Sequence, residues 1–128
     1  MKEKQELLNT YIKTNVVPIV IDFLEGKDIP NSIVLNPTLE KIELDGHYEG
    51  IEYKPPKWLE TLLNDSTKIM LVIENLEKLP PEEQNKFIEI LKYRQISTFE
   101  IPEDYRIIII SKDYKKLSKE IQSLTALI

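Results

Sequence analysis

Two uninterrupted apolar runs constrain this chain more than anything else in it: Ile69-Met-Leu-Val-Ile73, followed by Glu74-Asn75, and Ile107-Ile-Ile-Ile110, preceded by Arg106. A surface helix interrupts its apolar residues at a period of 3.6, and a half-buried strand alternates them. A short continuous run bounded by polar residues fits a strand covered on both faces. Between the two runs, Pro80-Pro81-Glu82-Glu83 starts a helix. Proline costs little in the first turn, where its missing N–H would have no partner, and the carboxylates meet the positive end of the helix dipole. Phe87, Ile88 and Leu91 give that helix an apolar face. Buried strands alternating with helices indicate an α/β architecture with a mainly parallel sheet.

The remaining segments are read around this unit. Glu3 to Thr14 places Leu7, Leu8, Tyr11 and Ile12 on one helical face. Residues 16–24 are ambiguous. Their β-branched run suggests a strand, yet Ile19, Val20, Phe23 and Leu24 keep helical spacing, Pro18 suits a first turn and Gly26 a stop, so a helix is favoured. Asn31 to Pro37 reads as a short buried strand, and the first in the chain. Lys41–Leu44 and Ile51–Lys54 read as a hairpin around Asp45-Gly46-His-Tyr-Glu-Gly50. Trp58, Leu59, Leu62 and Leu63 form a short helix closing at Asn64-Asp65. Leu117, Ile121, Leu124 and Ile128 form a final one that begins near Ser118. No linker or repeat divides residues 1–128, so one domain is expected.

Composition removes several function classes. The net charge of −5 argues against general nucleic-acid affinity, which comes mostly from neutralising phosphates, while leaving room for a local basic patch. With no cysteine there is neither a disulfide nor a thiolate metal site. The charged Met1-Lys-Glu-Lys-Gln-Glu start is not a signal peptide, and no apolar run approaches the roughly 20 residues of a membrane span. The expectation is a cytoplasmic protein.

From Pro55 to Leu127 the order of features resembles the Walker B to sensor 1 stretch of AAA+ ATPases, particularly their MoxR-like branch. The features are Pro55-Pro-Lys-Trp-Leu59, the strand ending in Glu74-Asn75, the Pro80-Pro-Glu-Glu-Gln-Asn85 helix, the Arg94-Gln-Ile-Ser97 turn with a short hairpin, Ile101-Pro-Glu-Asp-Tyr105 and the strand running into Ser111-Lys112. The resemblance implies a reduced AAA+/P-loop-like three-layer sandwich with a mainly parallel sheet and a small β-hairpin. It also implies a nucleotide-proximal site at Glu74, Asn75, Ser111 and Lys112.

The residues at those places do not support hydrolysis. Walker B needs an Asp for the magnesium shell and a Glu to polarise water. This chain offers Glu74 and Asn75, and an amide is not a general base. A phosphate loop needs G-x-x-x-x-G-K-[ST], whose backbone amides wrap the phosphates. After the strand at 31–37 the sequence is Asn36-Pro-Thr-Leu-Glu-Lys41, and none of Gly26, Gly46 and Gly50 begins that pattern. The arginine finger and helical lid that the resemblance implies are missing too. The alternative reading of Glu74-Asn75 is a polar strand end.

No cofactor, metal or catalytic residue is therefore expected. A metal at Asp45, His47 and Glu49 competes with three solvated turn residues, and a single histidine gives little support to histidine catalysis. Lys112, Lys115, Lys116 and Lys119, with Tyr114 among them, form either a nucleic-acid patch or a solvated helix start. Tyr48, Tyr53 and Trp58 form either a contact surface or core, and Leu127-Ile128 either packs inward or lies exposed. Three functions stand open. The leading one is a non-hydrolysing AAA+-like scaffold that binds protein partners or itself. The others are a nucleic-acid-associated module of replication or a mobile element, and an ATPase subunit completed by a partner chain.

Overall fold

The computed structural model describes residues 2–14, 17–38, 44–64, 70–97, 99–102 and 104–128. Five parallel strands form the central sheet: β1 (Ile19–Ile21), β2 (Ser32–Leu35), β5 (Met70–Glu74), β8 (Arg106–Ile110) and β9 (Ala126–Leu127), in the order β2-β5-β8-β1-β9. The two apolar runs are neighbours, with Val72 opposite Ile108, and β1 lies on the far side of β8 with Ile19 opposite Ile108. Ile69, read as the start of the first run, lies outside the described residues.

Side chains alternate across the sheet, so each run supplies both faces. Val20, Leu35, Leu71, Ile73, Ile107 and Ile109 face one core, closed by α2 (Lys57–Asn64), α4 (Ile88–Tyr93) and α5 (Lys119–Leu124). Ile19, Ile21, Met70, Val72, Ile108 and Ile110 face the other, closed by Leu8, Tyr11 and Ile12 of α1 (Lys2–Thr14) and by Phe23, Leu24 and Ile29 of the segment after β1. The chain is mixed α/β with helices on both sides of a parallel sheet.

The helix favoured over residues 16–24 is replaced by β1, with Val16 outside the described residues. Ile19, Val20 and Ile21 are all fully enclosed. A helix with one apolar face cannot bury three consecutive side chains, whereas a central strand can. The segment at 31–37 is consequently the second strand, and it lies at a sheet edge with Val34 exposed. The final helix stops at Leu124. Thr125 turns extended, and the amides of Ala126 and Ile128 donate to the carbonyls of Pro18 and Val20, making β9. Ile128 packs on the α1 side of the sheet, and Leu127 lies exposed.

The expected hairpin is present but displaced. Its strands are β3 (His47–Glu49) and β4 (Glu52–Lys54), turning at Gly50-Ile51 with Gly50 at a φ of 65°. Leu44 and Asp45 lie in a helical turn, and Lys41–Glu43 fall outside the described residues. Tyr48 and Tyr53 pack across the pair with ring centres 5.3 Å apart and planes tilted by 49°, and the Tyr53 hydroxyl donates to the Asp45 carbonyl at 2.5 Å. Trp58 is half-buried against the core, its indole N–H donating to the Leu44 carbonyl at 2.9 Å. A second hairpin pairs β6 (Gln95–Ile96) with β7 (Phe99–Glu100).

From Pro81 the chain stays helical through α3 (Pro81–Gln84), a 3₁₀ turn at Asn85–Phe87 and α4. Phe87, Ile90 and Leu91 are buried, and Ile88 is only half-buried. Gln84 is fully enclosed. Its amide donates to the carbonyls of Leu79 and Lys116, both at 2.9 Å, and its oxygen accepts from the Ser118 amide at 2.6 Å. This one side chain ties the segment after β5 to the segment after β8. Gln84→Ala leaves those buried groups unpartnered and is expected to cost about 2–3 kcal/mol in urea unfolding. Ile51→Ala, at the exposed hairpin tip, is expected to stay within about 0.5 kcal/mol of the parent.

Burial raises the pKa of the Tyr53 hydroxyl above its ordinary 10.0, with further contributions from Asp45, Tyr48 and Glu89. The folded state then holds this proton where the unfolded chain has lost it. The stabilisation is complete below pH 10 and is lost as pH rises through the folded value. Between pH 9 and 11.5 the parent should therefore lose more stability than Tyr53→Phe in parallel denaturant titrations.

Candidate functional site

In open α/β sheets ligands bind beyond the carboxyl ends of the strands. Here the ends of β5 and β8 and the connection leaving β1 form a cleft of about 380 Å³, lined by Glu25, Lys27, Glu74, Asn75, Glu77, Ile110 and Lys112. Three of the four sequence-predicted positions line it. Ser111 does not. It is buried, with its hydroxyl oxygen accepting from the Asp113 amide at 3.3 Å and its own amide bonded to the Ile21 carbonyl.

The connection after β1, residues 22–31, occupies the space beside Glu74. The Gly26 amide donates to Glu74 Oε1 at 2.5 Å. A Cβ on Gly26 would collide with that carboxylate and would press on Val34, so a larger residue here must displace the Glu74 side chain. The Glu25 amide donates to Asp28 Oδ2 at 3.1 Å, and the Asp28 amide to the Glu25 carbonyl at 2.9 Å. These amides serve the chain's own acceptors. The location inferred for the phosphate loop, after the strand at 31–37, is also displaced. The first strand is β1, so the connection to compare is Asp22–Asp28. Leu39–Lys41 of the earlier location lie outside the described residues.

Asn75 has a left-handed backbone, with φ 60° and ψ 23°, at the junction between β5 and a 3₁₀ turn over Leu76–Lys78. Asparagine tolerates that conformation better than most residues. Its presence after Glu74 thus has a backbone cause. Lys112 reaches back to the Asp22 carbonyl at 3.3 Å, and Lys27 pairs with Glu25 at 3.3 Å.

Glu77 was not anticipated. It is 9% exposed, and its Oε2 has no hydrogen-bond partner. The signal for it in the sequence was slight: a glutamate three residues after Glu74, with no pattern of its own.

The lysine cluster divides. Lys112 lines the acidic cleft, while Lys115, Lys116 and Lys119 line a separate groove of about 540 Å³. Lys78 joins them there from the 3₁₀ turn, a juxtaposition of distant segments that one sequence does not reveal. Lys116 lies 3.9 Å from Asp113. A third, mostly apolar cleft of about 680 Å³ lies between the β2 edge and the first hairpin, lined by Val34, Leu35, Pro55, Pro56 and Trp58 among others. His47 Nε2 and Glu49 Oε1 are 3.4 Å apart on the exposed hairpin. Among the described residues, no three His, Asp or Glu side chains are grouped to hold a metal.

Neither protein-family models nor curated proteins provide a match to this chain. Among the described residues, no helix is long and apolar enough to cross a membrane.

Gly26→Ala is expected to destabilise the fold by about 1–3 kcal/mol, because the methyl group displaces a carboxylate from its hydrogen bond. In a Glu74→Ala background the same change should cost markedly less. A double-mutant cycle in chemical denaturation measures that coupling, and additive costs would show that the two residues do not interact.

Proposed function

We propose that this chain is a non-hydrolysing, AAA+-like interaction domain, a reduced nucleotide-binding core that binds protein partners or itself in the cytoplasm. The observation that carries the reading is the Gly26–Glu74 hydrogen bond. It lies at the carboxyl end of the Walker-B-like strand, where a phosphate would need free backbone amides. The adjacency of β5 and β8 also favours it, because the resemblance requires those two strand ends to meet at one site. Asn75 stands where the resemblance puts the water-activating acid, and its amide is not a general base. Surfaces otherwise used between ATPase subunits are then available for scaffolding.

Isothermal titration with ATP and Mg²⁺ is expected to give no heat, and Glu74→Ala should leave that result unchanged. Saturable heat with the isolated chain would show that nucleotide still binds, and release of phosphate from ATP would sink the non-hydrolysing reading. Light scattering across a hundredfold concentration range, with and without candidate partners, tests the interaction half. A protein that stays monomeric and captures nothing counts against it.

One observation favours a second reading, that of a nucleic-acid-associated module. Lys78, Lys115, Lys116 and Lys119 share one groove, and phosphate neutralisation by such side chains gives steeply salt-dependent affinity. A gel shift with duplex DNA that weakens with salt, and weakens further on replacing Lys115 and Lys116 by Gln, is what this reading requires.

A further inference from the structure

We propose that the cleft between Glu74 and Glu77 receives the guanidinium group of an arginine carried by a protein partner. The inference rests on the interaction-domain reading only in that the arginine arrives on another protein. The charge around the cleft is unevenly matched. Lys27 is paired with Glu25, and Lys112 is directed to the Asp22 carbonyl. Glu74 spends Oε1 on a backbone amide, while Glu77 Oε2 is enclosed and accepts nothing. A buried carboxylate oxygen without a donor costs about 1–3 kcal/mol or more. A donor brought by a ligand recovers that cost when the Glu77 side chain turns toward the cleft it lines.

Size and chemistry select among cations. About 380 Å³ is near the lower end of ligand sites, which span roughly 300–1,000 Å³, and suits a side chain better than a nucleoside triphosphate. The described carboxylates are not grouped to hold a metal ion. An ammonium is a compact, strongly hydrated charge. A guanidinium is planar, weakly hydrated and carries five donors, so it can enter a narrow slot and bond two carboxylates together.

This chain's own arginines are already committed. Arg94 donates to the carbonyls of Pro102 and Tyr105, at 2.8 and 2.6 Å, and Arg106 to the carbonyl of Ile12 at 2.7 Å. They are the only two in the sequence, so a second copy of the chain would lend one only by giving up these bonds. The partner is a different protein.

The test is an amide NMR titration of the ¹⁵N-labelled full chain with Nα-acetyl-arginine methylamide, its citrulline counterpart and MgCl₂. Arginine should move the amides of Gly26, Asn75 and Glu77 saturably, citrulline should not, and Glu77→Gln should weaken binding about tenfold, the loss of one charge-assisted bond. Glu74→Gln, which keeps an oxygen for the Gly26 amide, should weaken it similarly and serves if Glu77→Gln does not fold. Equal response to citrulline, no response to arginine, displacement of arginine by Mg²⁺, or indifference to both variants each overturns the proposal. Phosphate release from ATP with Mg²⁺ would overturn the non-hydrolysing reading whatever arginine does. Silence to both ligands would overturn the arginine pocket alone.

Discussion

The structure depends on β8 being covered on both faces and paired on both edges. Ile107 and Ile109 point into one core, Ile108 and Ile110 into the other, and β5 and β1 supply the neighbouring backbones. A strand so placed exposes no edge and no face, and burying each isoleucine contributes about 1.5–3 kcal/mol relative to leaving it in water. The rest of the fold follows from completing that enclosure. α1 must lie on one side, α2, α4 and α5 on the other, and two flanking strands must reach the same level. The polar residues that continue β5 and β8 then have to emerge together at the carboxyl end of the sheet. The cleft is a geometric consequence of the core.

How much of this was legible in the sequence depended on whether a segment's neighbours were local. β5, β8 and the helical run after Pro81 could be read because their apolar patterns and start signals lie within one window. β1 could not, because its enclosure comes from β8, almost ninety positions away. The spacing of Phe23 and Leu24 imitates a helix, although both merely fold under the sheet after the strand has ended. β9 was hidden for the same reason. Two residues make a strand only when Pro18 and Val20 offer carbonyls to them. The hairpin was displaced because alternation over Lys41–Leu44 matches a strand as well as His47–Glu49 does, and only pairing with Glu52–Lys54 decides between them.

The candidate site divides along the same line. Glu74, Asn75 and Lys112 were placed at the cleft by the ordered series of motifs. The residues that determine its chemistry, Gly26 and Glu77, carry no pattern of their own. Gly26 matters because its amide meets Glu74 from 48 positions away. Glu77 matters because a turn that ordinarily exposes its side chain here folds it inward. Lysines that formed one cluster in the sequence fall on two sides of Glu77, which borders both the acidic cleft and the basic groove. Proximity along the chain was a poor guide to shared electrostatic environment, since the field at a side chain is set by what packs against it.

A phosphate site would need more here than a sequence motif. A phosphate cradle combines a glycine-rich turn with the amino end of a helix, whose unpaired amides and dipole both favour an anion. Between β1 and β2 this chain has only residues 22–31, and their one regular element is a three-residue 3₁₀ turn at Gly26–Asp28. That connection crosses from the end of β1 past Glu74 to the start of β2, with Ile29 packed beneath the sheet. It has no length left for a helix. Substituting glycines and a lysine into it would change side chains without providing the helix terminus or freeing the Gly26 amide. What occupies the site is a carboxylate already bonded to backbone, beside a second one still lacking a donor. Such a site suits cations that bring their own donors better than anions that need amides.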